Sequence, residues 1–70
     1  MKISARNILK GTVKEIKKGA VNDEIIVQLP GGSEITSIIT QTSSEKLGIK
    51  VGKSVYAIIK ASNVMLAVDE

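Results

Sequence analysis

Seventy residues, with ten Lys and Arg against seven Asp and Glu, make at most one small, mildly basic domain. A chain of this size buries only about 60% of its unfolded surface and leans on supplementary contacts. Cys and His are both absent, which excludes disulfides, thiolate chemistry and the usual zinc sites and leaves oligomerisation as the most available support. Met1-Lys2-Ile3-Ser4 is followed by no apolar signal-peptide core, and no apolar run nears the roughly 20 residues of a membrane span. The expectation is a soluble, cytoplasmic protein without a membrane partner. The acids are Glu15, Asp23, Glu24, Glu34, Glu45, Asp69 and Glu70, so Met1 to Lys14 and Lys46 to Val68 contain none. Two acid-free, lysine-bearing segments can build a surface that attracts anions.

In chain order, Ser4-Ala5-Arg6-Asn7 comes first and holds the only arginine. Its guanidinium is a rigid fork of N–H donors, suited to an anion; taken alone, the stretch reads better as an ordinary surface charge. Ile8 to Lys18 alternates with a change of phase, as a bulged or strongly bent strand would, and Gly19 closes it. Glu24 to Leu29 is a second strand, with Ile25, Val27 and Leu29 on one face. Pro30-Gly31-Gly32 turns it into a third, Glu34 to Thr40. Thr42 and Glu45 have capping-box spacing, predicting a short helix from Ser43 that Leu47-Gly48 stops. Gly52-Lys53 is a turn. Ser54 to Lys60 and Asn63 to Val68 follow as two final strands, separated by Ala61-Ser62.

The layout is all-β: a five-stranded OB-like (Greek-key) barrel with one short helix between strands 3 and 4. A five-stranded sandwich is the alternative. The last two strands are apolar on both faces, through Val55, Ala57 and Ile59 against Tyr56 and Ile58, and through Val64, Leu66 and Val68 against Met65 and Ala67. One small barrel has only one interior to fill, so homo-oligomerisation through strand faces or edges is expected.

The chemistry follows from what is present. Without His or Cys the common nucleophile–base pairs are missing, and the adjacent carboxylates of Asp23-Glu24 read as a solvated loop, so no enzyme is expected. Single-strand nucleic-acid binding by an OB barrel relies on aromatic platforms. Tyr56 is the only aromatic residue, which argues against it, although it remains the competing function. A purely structural oligomerisation domain is a third reading. Binding of a small tetrahedral oxyanion needs only donors, and three carboxylate-free segments supply them: Ser4 with Arg6; Thr40 with Ser43 at the start of the helix; and Lys60 with the amides of Ala61 and Ser62. A donor-only pocket leaves the proton of monoprotonated phosphate unpaired, a penalty of about 1–3 kcal/mol. Sulfate, molybdate and tungstate would be preferred.

Ser4-Ala5-Arg6-Asn7, Leu9-Lys10-Gly11, Ile39-Thr40 before Ser43, Leu47-Gly48, Val51-Gly52-Lys53 and Ala57-Ile58-Ile59-Lys60-Ala61, in this order and spacing, resemble the molbindins, the small molybdenum-binding-protein (Mop) family. The resemblance covers essentially the whole chain as one domain, 1–70. It implies an OB-like barrel assembled as a homohexamer, a trimer of dimers, that binds molybdate or tungstate between subunits for molybdenum storage and homeostasis. Neither an organic cofactor nor a bare metal cation is implied. The family's dimer-interface pocket falls on Ser4, Ala5, Arg6, Thr40, Ser43, Lys60, Ala61 and Ser62, some from the neighbouring chain. A second oxyanion site near a three-fold axis maps to Gly19, Ala20, Val21 and Asn22. The Pro30-Gly31 turn is unusual for the family.

Overall fold

A computed structural model describes residues 1–69. Its elements are β1 (Asn7–Lys18), β2 (Asn22–Gln28), β3 (Glu34–Thr40), α1 (Gln41–Leu47), β4 (Ser54–Ile59) and a 3-10 turn (Ala61–Asn63). The strands form one antiparallel sheet in the order β3-β2-β1-β4.

β1 organises the sheet because it changes partner partway along. Its first half pairs with β4, from Asn7↔Ile59 to Thr12↔Ser54. Its second half pairs with β2, from Thr12↔Gln28 to Lys18↔Asp23. Only Thr12 belongs to both ladders, and the register slips at once between Val13 and Glu15. That slip is the bulge the phase change predicted, with Lys14 as the extra residue. A bulge bends its strand and increases the local twist, and here it returns Ile16 to the same core as Val13. The sheet curls as a result, so residues of the two edge strands, β3 and β4, line a common cleft. On the exposed side Lys14 hydrogen-bonds Glu34, whose acceptor and charge hold the Lys14 ammonium above its ordinary pKa.

Gly11 sits where β1 runs close against the end of β2. A Cβ there would lie 2.7 Å from both the Gln28 carbonyl oxygen and Val27 Cγ1. The fully buried apolar core is small: Val13, Ile25 and Val27, with Ile16, Leu29, Ile39, Ile49 and Val55 packed around it half-buried.

Two expectations need correction. The helix is capped by Thr40, whose Oγ1 accepts from the Ser43 N–H at 3.0 Å, two residues ahead of the expected Thr42. Thr40 ends β3 in extended backbone with ψ 151°, so its hydroxyl reaches the free amides as the chain turns into the helix. Gly48 stops the helix as expected, in the left-handed region at φ 64°, and Lys53 Nζ donates to the Leu47 carbonyl at 2.6 Å. The second correction concerns the fifth strand. Residues 64–69 make no ladder, and the sheet has four strands among the described residues. The 3-10 turn carries the segment off the end of β4, and Met65 and Leu66 are 92% and 93% exposed. Its one backbone hydrogen bond among the described residues, from the Val64 N–H to the Ala61 carbonyl at 3.3 Å, closes the 3-10 turn.

Candidate functional site

The candidate residues fall into two corners. The first is the end of the β1–β4 ladder. Ser4 and Arg6 are exposed and Ala5 is half-buried just before β1; Lys60, Ala61 and Ser62 are exposed just after β4. Asn7↔Ile59 is the last ladder pair, and Asn7 Nδ2 donates to the Ile59 carbonyl at 3.2 Å. Arg6 and Lys60 therefore stand opposite each other, one step beyond the ladder. Among the described residues neither has a carboxylate partner. Facing like charges repel, and a dianion between them would relieve that repulsion.

The second corner is the far end of β2–β3, where Thr40 pairs with Asn22. The Gln41 N–H donates to the Val21 carbonyl at 2.9 Å, tying the helix start to the Gly19–Asn22 turn. Thr40 and Ser43 thus share a corner with Gly19, Ala20, Val21 and Asn22, which the resemblance assigns to a different site. The hydroxyls form a chain: the Ser43 N–H donates to Thr40 Oγ1, and the Thr40 O–H donates to Ser43 Oγ at 2.8 Å. Ser43 keeps its own O–H to donate outward, and Thr40 orients it.

The corners lie at opposite ends of β1. One adjoins Asn7; the other adjoins Lys18 through its pairing with Asp23. At the rise of a β-strand the separation is roughly 35 Å of strand path. The ladder puts Ser4–Arg6 beside Lys60–Ser62 and leaves Thr40 and Ser43 at the other end of the β1 path, while Ile39 beside Thr40 and Ile59 beside Lys60 line one cleft of the curled sheet.

Asp23 contradicts its sequence reading. Asp23 and Glu24 open β2 rather than forming a solvated loop. Their side chains take opposite faces, and Glu24 pairs with Lys17 at 3.5 Å. Asp23 is completely buried; Oδ2 accepts from Lys18 Nζ at 3.3 Å, while Oδ1 has no hydrogen-bond partner. The missed signal was parity, since Asp23 is in phase with Ile25 and Val27. The role of Asn7 was missed as well: an amide opening a strand can tie the neighbouring strand's end, as it does here. Tyr56, on the exposed side of β4, has Lys10 Nζ over one face of its ring at 5.9 Å. No helix among the described residues is long and apolar enough to cross a membrane.

Comparison with known proteins adds to this geometry. The TOBE domain family matches residues 3–66. Molybdenum-pterin-binding protein 1 of Clostridium pasteurianum is 48% identical over 66 residues, covering 94% of this chain and 97% of that protein. The fold is similar to that of MopII from Clostridium pasteurianum, with a TM-score of 0.91 at 46% identity over 96% of this chain and 100% of that one. It is also similar to that of the cytoplasmic molybdate-binding protein ModG, solved with molybdate bound, with a TM-score of 0.95 at 55% identity over 99% of this chain and 49% of ModG.

Proposed function

The chain belongs to the TOBE-domain family, among the molybdenum-pterin-binding (Mop) proteins, and from that premise we propose that it binds molybdate or tungstate at interfaces between its own subunits. The observation that carries the reading is the division of the donors into two corners at opposite ends of β1. In this reading a tetrahedral anion takes one corner from each of two copies. Arg6 and Lys60 neutralise the dianion, Ser4 and Ser43 donate hydroxyl hydrogen bonds with Thr40 behind Ser43, and the amides of Ala5, Ala61 and Ser62 complete the shell. The Gly19–Asn22 turn serves a second class of site beside Thr40.

The whole chain acts as a single binding domain, without catalysis and without an organic cofactor. It assembles as a hexamer, a trimer of dimers, for cytoplasmic molybdenum storage and homeostasis. A fully deprotonated oxyanion suits the donor set, because a protonated phosphate would lack an acceptor at a cost of about 1–3 kcal/mol.

Isothermal titration of the purified chain with molybdate, tungstate, sulfate and phosphate tests this. Saturable binding of molybdate and tungstate, with phosphate at least tenfold weaker, is expected. Equal affinity for phosphate would remove the donor-only site, and no heat with any oxyanion would remove the function.

A further inference from the structure

The hydrogen bond from Asn7 Nδ2 to the Ile59 carbonyl, at 3.2 Å, joins residues 52 positions apart. Its place gives it a use. Asn7 directly follows Arg6, and the Ile59 carbonyl belongs to the peptide unit that leads into Lys60. A carbonyl only accepts, so the NH2 of the half-buried Asn7 amide has to face it. A trans peptide unit is planar and rigid, so holding the Ile59 oxygen also sets the direction of the Lys60 N–H. The next unit is held too, because the Lys60 carbonyl accepts from the Asn63 N–H at 2.9 Å. With both flanking units fixed, the Lys60 side chain leaves from a set point in extended backbone, φ −62° and ψ 131°. Asn7↔Ile59 is the last ladder pair, and ladder ends are the first places to fray. Arg6 and Lys60 load this end with like charges that have no carboxylate partner among the described residues. The end most prone to open is therefore also the end that is pushed apart.

We propose that Asn7 is a positioning residue for the oxyanion: its amide latches the end of the β1–β4 ladder and holds Arg6 and Lys60 at one spacing before the anion arrives. Asn7 touches no ligand in this role and acts through Lys60. Preorganisation of this kind raises affinity by removing an ordering cost that binding would otherwise meet. The inference deepens the proposed function and rests on its assignment of Arg6 and Lys60 to the anion.

A double-mutant cycle read by isothermal titration with molybdate tests the latch. Asn7→Ala is expected to weaken binding about tenfold, as the loss of one hydrogen bond can, with the strand signal in circular dichroism retained. In a Lys60→Ala chain the same substitution is expected to weaken binding at most about twofold, because residues that act through one another do not add. Equal fold losses in the two backgrounds would mean that Asn7 supports the fold at large and would overturn the proposal. Unchanged affinity in N7A beside a native chain that binds would overturn it as well, leaving the proposed function standing. A native chain that takes up no molybdate would remove that function and this role with it. Should N7A fail to fold, Asn7→Leu, of similar size and without a donor, takes its place in the cycle. If neither folds, the latch serves the fold and not the site, and the proposal ends.

Discussion

Arg6 and Lys60 are the residues on which the proposed binding turns. Both are exposed, both lack a carboxylate partner among the described residues, and they face each other across the end of one ladder. Removing either leaves a dianion half-neutralised. Arg6→Ala and Lys60→Ala are each expected to weaken molybdate binding by about 1.5–3 kcal/mol, the range for hydrogen bonds to charged groups, measured by isothermal titration. The Thr40–Ser43 pair separates structure from binding. Thr40 caps α1 and orients Ser43, so Thr40→Val should cost about 1 kcal/mol of stability as well as affinity. Ser43→Ala should lower affinity while leaving stability within about 0.5 kcal/mol. Urea denaturation beside titration of the two variants checks this, and equal stability loss in both would mean that Thr40 is not the cap.

At the scale of elements, β1 decides the architecture. Its bulge at Lys14 and the close crossing at Gly11 let one strand serve two ladders that share only Thr12. Gly11→Ala places a methyl group against the Gln28 carbonyl and Val27, where backbone has to move. Overpacking of this kind costs about 1–3 kcal/mol, expected as a lower urea midpoint with an unchanged slope. The bulge was legible from sequence because Ile8, Leu9, Val13 and Ile16 break parity within one run. The cap was misplaced because Thr40 and Thr42 are both hydroxyl residues beside the same helix. Which of them holds the extended backbone of an N-cap depends on where β3 ends, and pairing with Asn22 sets that.

For the whole molecule, three fully buried apolar residues are a slender core, and stability should depend on what binds the folded form. A ligand at one hundred times its Kd adds about 2.7 kcal/mol. Thermal melts are therefore expected to shift upward with molybdate and to keep rising with its logarithm, while phosphate at the same concentration has little effect. A melting temperature indifferent to molybdate would mean that the native fold does not bind it.

Local patterning was enough to determine the all-β class, the extent of β3 from Glu34 to Thr40, the turn at Pro30-Gly31-Gly32 and the stop at Gly48. Each depends on residues within a few positions of one another: side-chain parity, turn chemistry, a left-handed glycine. The donor-rich segments could likewise be picked out one by one, because hydroxyls, amides and missing carboxylates are properties of composition. Their arrangement belonged to the tertiary structure. Only the ladder registers separate Thr40 and Ser43 from Arg6 and Lys60, join Thr40 to the Gly19–Asn22 turn, and bury Asp23 beneath Lys18. The last strand shows the same division. Asn63 to Val68 alternates like a strand, because alternation is local, but pairing has to be found in space, and residues 64–69 make no ladder in the sheet.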